Sequence, residues 1–174
     1  RPDLSPDFLK IDVEGADLEV LRGGHEALER SVLAVRVEVS FVERHVGSPF
    51  FGETDAFLRA HGFMLSHLSN EYWIRRNLFH GFTSQPQLIW GDAVYVLSLE
   101  HLLKRLAAVP VEKREQILVK FAVILLTHGV HDFAIEVIEA AAQSGLMPAQ
   151  LAGELRTAIE SSVDRSILYF LKCS

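Results

Sequence analysis

Cysteine is almost absent from this chain, since Cys173 is the only one among 174 residues. An intrachain disulfide and a two-cysteine metal or redox motif are therefore excluded. We expect a reducing compartment, the cytoplasm, for the protein. Long apolar runs are missing too, because the longest one, residues 117–126, is interrupted by Lys120 and is too short to cross a bilayer. The sequence starts at Arg1 without a signal-peptide pattern, and we expect it to be a piece of a longer protein.

An excess of basic residues is missing as well. The net charge is −6, and residues 1–99 hold nine Lys and Arg against 14 Asp and Glu. Binding to phosphate backbones or anionic lipid surfaces requires a basic patch, so we expect neither nucleic acid nor a membrane among the partners. The eight histidines include no pair spaced as HxxxH, which a zinc site on one helical face would need. We expect no metal site.

The most informative segment is a short strand that leads into an acidic turn. Residues 8–13 form a nearly continuous apolar run, which is typical of a strand covered on both faces. Asp12 and Glu14 stand at its carboxyl end, and Gly15 opens a predicted helix that Gly23 and its neighbour weaken midway. The pattern predicts a site at the end of this strand.

A second strand is predicted over residues 33–39, which are rich in β-branched side chains and include Glu38 near the end. A strand, a helix and a strand within about thirty residues predict a parallel pair with a right-handed crossover. In open α/β sheets, ligands bind beyond the carboxyl ends of such strands. Asp12, Glu14 and Glu38 all fall at those ends.

The remaining pattern predicts two further strands and then helices. Thr54 is predicted to cap a helix over residues 55–61, which Gly62 ends. The aromatic and polar segment 69–92 is predicted to be a long loop. Strands are predicted on either side of it, over residues 63–68 and 93–97. From residue 100 the apolar period becomes helical, which predicts helices over residues 100–108, 112–128, 131–144 and 148–160 and a short last one ending near Leu171.

Four residues are candidate catalytic groups: Asp12, Glu14 and Glu38 at the strand ends, and His45, which follows the second strand and could act as a general base. Glu14 could instead be an ordinary acid at a helix N-terminus. The three carboxylates could also hold a divalent cation, but three acids at strand ends do not establish convergence.

Asp12 and Glu38 also have structural interpretations. Asp12 could pair with Lys10 alone. Glu38 is a charge in an otherwise apolar strand, and a buried charge needs a partner or a cleft. Arg36 and Arg44 are the candidate partners, and the sequence does not separate a structural ion pair from a binding role.

The segment KIDVEG, residues 10–15, followed by LEVLRG, residues 18–23, closely resembles the FkbM-type methyltransferases. The segment VEVSF, residues 37–41, and the pairs at 57–58 and 62–63 agree with that family in order and spacing. The resemblance covers about residues 6–98. It implies a partial methyltransferase domain over residues 1–99, with a helical appendage over residues 100–174.

The resemblance implies an α/β fold, the C-terminal half of a class I, Rossmann-like methyltransferase sheet. Residues 8–13 would be its fourth strand, followed by the fifth and by a terminal antiparallel hairpin of strands six and seven. The implied activity is transfer of a methyl group from S-adenosylmethionine to a hydroxyl of a natural product, sugar or lipid-like acceptor. Asp12 would then contact the cofactor as well as take part in catalysis.

The family's glycine-rich turn after the first strand, and the acid after the second that holds the ribose, are both absent from this sequence. The resemblance therefore leaves two hypotheses and does not decide whether this chain alone is an enzyme. One is a methyltransferase fragment whose parent protein is active; the other is a non-catalytic truncated module that acts in protein interaction.

Two further expectations concern what covers the implied domain. The apolar strand over residues 8–13 would lack its neighbouring strand, and bare strand edges are rarely tolerated. We expect a second copy of the chain, the helical region or an upstream segment to cover it. Residues 72–90 could form a lid over a small-molecule acceptor, in which Arg75 and Arg76 attract an acid or phosphate group, or a packed surface loop between the hairpin strands, and their position slightly favours the lid.

Overall fold

A computed structural model of the chain describes residues 5–74 and 85–170, with side chains as far as residue 161. Within these ranges it is a mixed α/β structure, as predicted. Its elements are β1 Phe8–Ile11, α1 Asp17–Gly23, α2 His25–Arg30, β2 Ala34–Ser40, α3 Phe51–Ala60, β3 Phe63–Trp73, β4 Gln87–Leu97, α4 Leu99–Ala108, α5 Val111–Thr127, α6 His131–Gln143 and α7 Ala149–Phe170. The chain divides into two compact units, one ending at Ser98 and the other beginning at Leu99.

The four strands form one sheet in the order β1-β2-β4-β3. β1 and β2 are parallel, with Ile11 opposite Val37, and this confirms the predicted parallel pair. β4 runs antiparallel to both β2 and β3, so the predicted antiparallel hairpin is also confirmed. α1 and α3 pack against β2, and α3 also packs against β3. The carboxyl ends of β1 and β2 therefore lie side by side at one edge of the sheet.

The first strand is shorter than predicted. It ends at Ile11, because the chain then turns through two residues with positive φ, Glu14 at 54° and Gly15 at 99°. Gly15 belongs to that turn, and the helix begins at Asp17. The predicted single helix is in fact two, α1 and α2, which meet at Gly24.

The prediction that Thr54 caps the next helix is wrong. α3 already begins at Phe51, and the Glu53 carboxylate accepts a hydrogen bond from the backbone N–H of Phe50 at 2.9 Å. That bond satisfies a backbone donor at the start of the helix, where no intrahelical acceptor is available. Thr54 is buried within the first turns.

The predicted loop over residues 69–92 is also wrong where the structure describes it. β3 continues to Trp73 and β4 begins at Gln87, so that most of the described residues of this segment form a two-stranded arm. The last β2 residue in the ladder is Ser40, which lies opposite Trp90. The two strands of the arm continue past that point, beyond the carboxyl end of β2.

The second unit is helical. α5 packs against α6 and α6 against α7, around a core in which Phe121 meets Phe133 edge to face at 6.1 Å. The predicted helices are confirmed to within a residue or two, except that no separate short helix follows the fourth: α7 is continuous from Ala149 to Phe170. Among the helices of the described ranges, none combines the length and apolar character that a bilayer crossing needs.

Candidate active site

A charged cluster lies where β1 and β2 end. We call it the strand-end site and define it by Glu14, Glu38, Arg44 and His45. Glu14 comes from the turn after β1, Glu38 from β2, and the other two from the segment that follows β2. The parallel pairing of the two strands brings these positions together.

Arg44 is the centre of the site. Its Nη1 donates a hydrogen bond to Glu38 Oε1, and its Nη2 lies 3.6 Å from Glu14 Oε2. The guanidinium carbon also stands 5.2 Å from the centroid of the Trp90 ring, which is within cation–π range. Only 18% of the Arg44 side chain is exposed. The arginine is thus held by two carboxylates and an aromatic face.

Glu38 is the least exposed member of the site, with 11% of its side chain exposed. Burial raises the pKa of its carboxyl, and the hydrogen bond and charge of Arg44 act in the opposite direction. Of the two candidate partners, Arg44 is the one that pairs with Glu38. Arg36 pairs instead with Asp92 at 2.6 Å.

Glu14 and His45 form the exposed part of the site. His45 Nε2 lies 3.5 Å from Glu14 Oε2, and 47% and 68% of the two side chains are exposed. The His45 ring lies against Gly15, where an added Cβ would come within 3.0 Å of His45 Cδ2. Glycine at this position therefore serves two needs, the φ of 99° and the room for the ring.

Asp12 stands apart from this group. Its carboxylate pairs with Lys10 Nζ at 2.8 Å, and this hydrogen bond, together with the lysine charge, lowers the pKa of Asp12. The structure thus joins Glu38 to Glu14 through Arg44, brings His45 against Glu14, and places Asp12 beside Lys10. Within the described ranges, no three His, Cys, Asp or Glu side chains are grouped as a metal site requires.

Two residues of this region were not predicted from the sequence. Asp17 is buried and accepts hydrogen bonds from the backbone N–H groups of Val13 and Gly15, both at 3.2 Å. An acid two residues after a turn glycine is the signal that could have revealed it. Trp90 gave no comparable signal, because its stacking on Arg44 depends on the register of β4.

The predicted acceptor lid is only partly within the described structure. Its two flanks are the strands of the arm, and Tyr72 and Trp73 on the outer strand are half-exposed, at 49% and 59%. Arg75 and Arg76 lie outside the described residues. The role of this segment stays a prediction.

Comparison with protein-family models places part of this chain in a known family. Residues 3–65 match the model of the methyltransferase FkbM domain. The predicted resemblance is thereby confirmed from before β1 into β3, and its extension to residue 98 stays a prediction. No curated protein and no solved structure matches the chain significantly.

Proposed function

We propose that this chain carries the acceptor-side half of an S-adenosylmethionine-dependent O-methyltransferase. The observation that carries the proposal is the strand-end site itself. An exposed histidine and an exposed carboxylate stand 3.5 Å apart, in the region that matches a methyltransferase domain and at the sheet edge where ligands of open α/β folds bind.

The proposal includes a fold assignment: β1 and β2 would be the fourth and fifth strands of a class I methyltransferase sheet, and β3 and β4 would form its terminal hairpin. β1 is an edge strand whose Phe8 and Leu9 are half-buried. An upstream segment that paired with β1 would cover this edge and could supply the cofactor contacts that the sequence lacks. A second copy of the chain is the other expected cover.

The described residues fit one end of S-adenosylmethionine. Carboxylates suit its ammonium group, and Asp12 presents one, 44% exposed, just after β1. Within the described residues before β1 there is no glycine-rich turn to accept the rest of the cofactor. When bound, S-adenosylmethionine supplies a methyl group activated by its positively charged sulfur.

The chain's own residues would prepare the acceptor. A ring nitrogen of His45 would accept the hydroxyl proton, so that the acceptor oxygen could take the methyl group that bound S-adenosylmethionine would supply. Histidine thereby becomes a cation, and Glu14 stabilises it. At 3.5 Å and a water-like dielectric, that attraction is about 1 kcal/mol, or roughly fivefold in rate. Arg44, which is itself held by Glu38, contacts the Glu14 carboxylate and so helps to position it.

The first experiment measures cofactor binding. S-adenosylmethionine is titrated into this chain and into the same chain with its upstream residues restored, by calorimetry. Binding by the longer chain supports a methyltransferase whose cofactor pocket is shared between the two segments. Binding by neither would contradict the proposal and favour the non-catalytic module.

The second experiment measures transfer of labelled methyl groups to hydroxylated acceptors by the chain that binds. We expect H45Q to lower kcat by at least a hundredfold and E14Q by about fivefold, with little change in the KM for S-adenosylmethionine. H25Q is the matched control, since His25 is exposed on α2 and its ring nitrogen bonds to the Arg22 carbonyl oxygen, away from the strand-end site. Equal activity of H45Q and H25Q would remove His45 from the mechanism.

A further inference from the structure

Asp17 is a buried carboxylate that the chemistry above does not use. Only 4% of the residue is exposed, and a buried carboxylate is unfavourable unless it is hydrogen-bonded. Each of its oxygens accepts one backbone hydrogen bond, Oδ1 from Val13 and Oδ2 from Gly15. Both donors precede α1. Asp17 therefore reaches back to the turn instead of capping its own helix.

The two bonds hold the chain on either side of Glu14. This residue has a φ of 54°, in the left-handed region that side chains with a Cβ rarely adopt. Such a conformation persists only where the surrounding structure enforces it. A return to negative φ would redirect the Glu14 side chain, which now points its carboxylate towards Arg44 and His45.

We propose that Asp17 is a positioning residue for the Glu14–His45 pair. It clamps the turn in the left-handed conformation, and that conformation aims the Glu14 carboxylate at the histidine. The effect of Asp17 on catalysis rests on the proposed function. Its effect on the geometry of the turn does not. Both parts are therefore tested separately.

The catalytic test is a double-mutant cycle of D17N and E14Q. Asparagine has one acceptor oxygen where aspartate has two, so one of the two backbone bonds is lost. If Asp17 acts through Glu14, D17N lowers kcat about fivefold, as E14Q does, and adds no loss in the E14Q background. E19Q is the control, because it removes an exposed acid from the same first turn of α1. A D17N loss that is equally large in both backgrounds would show a structural role only and overturn the inference.

The geometric test needs no activity. Because the His45 ring lies against Gly15, an NMR cross-relaxation signal is expected between the Gly15 α-protons and the His45 ring. D17N should lose this signal and the exchange protection of one of the two amides, Val13 or Gly15, whose acceptor is removed, while E19Q keeps the signal and the protection of both amides. Should D17N fail to fold, D17S takes its place, since its hydroxyl can accept one bond. Retention of the signal and of the protection of both amides in a folded Asp17 variant would refute the inference, even in a chain that transfers no methyl group.

Discussion

Replacement of Arg44 by methionine tests the electrostatics of the strand-end site. R44M keeps most of the apolar stem and removes the charge, so Glu38 is left 11% exposed without its partner. Breaking a buried ion pair from one side is strongly unfavourable, because the remaining charge is neither hydrated nor neutralised. We expect R44M to be destabilised at neutral pH, with a loss that depends on pH.

The loss of stability in R44M has an upper bound, because Glu38 can become protonated instead of remaining as an unpaired charge. The ordinary pKa of this carboxyl is 4.5, so neutralising it at pH 7 costs at most about 3.4 kcal/mol, at 1.36 kcal/mol per pH unit. Burial already raises the Glu38 pKa, and the loss of Arg44 raises it further. A raised carboxyl pKa favours folding below the unfolded value and loses that benefit as pH rises towards the folded pKa. The R44M deficit should therefore grow as pH rises above the folded pKa of Glu38 in the unsubstituted chain, which lies above 4.5, and level off at the higher folded pKa in R44M.

Chemical denaturation at pH 5, 6, 7 and 8 measures the difference between R44M and the unsubstituted chain. We expect the deficit in the free energy of unfolding to increase by up to about 1.4 kcal/mol per pH unit in this window. The double variant R44M/E38Q has no Glu38 carboxyl to titrate, so its deficit relative to E38Q alone should be constant with pH. A constant deficit in R44M itself would refute the argument that Arg44 compensates a buried Glu38 charge.

Three smaller predictions concern the supports of the site. G91A should lower the free energy of unfolding by about 1–3 kcal/mol, because the added Cβ would lie 1.9 Å from the Ser69 carbonyl oxygen. G52A is the control, since an added Cβ at Gly52 meets open space and should leave that free energy unchanged. G15A should lower the free energy of unfolding and the rate of methyl transfer more than G47A does. Both glycines have positive φ, but only a Cβ at Gly15 would displace His45. Equal losses in the two variants would count against the contact between Gly15 and His45. Y95F should cost about 1–2 kcal/mol by denaturation, because the buried Tyr95 hydroxyl donates to an Asp55 carboxylate oxygen at 3.0 Å, and no loss would mean that water replaces the bond.

The two parallel strands were predictable because a short apolar run rich in β-branched side chains is typical of a buried strand. Their ends were not. The first strand stops where Asp17 and the left-handed turn redirect the chain, and no apolar period encodes either effect. The two-stranded arm was missed for a related reason: Gly91, a strand breaker by propensity, is required there by the close approach of the Ser69 carbonyl oxygen.

The candidate site was predictable in its location and not in its contacts. Placing Glu14, Glu38 and His45 at neighbouring strand ends needs only the parallel crossover. Choosing Arg44 over Arg36 as the partner of Glu38 needs the register, because Arg36 lies on β2 itself and reaches Asp92 on the neighbouring β4. Side chains on a strand can be assigned to partners only when the neighbouring strand is known.

Arg44 bears on stability and on function through different carboxylates, and this makes the two roles separable. Its bond to the buried Glu38 is one of charge compensation, so removing that carboxylate together with Arg44 should restore much of the lost stability. Its contact with the exposed Glu14 is long and screened by water, so it contributes little to folding. Pairing with Glu38 neutralises Arg44, and the Glu14 charge remains available to a protonated His45. Stability changes in this site should therefore follow Glu38, and rate changes should follow Glu14.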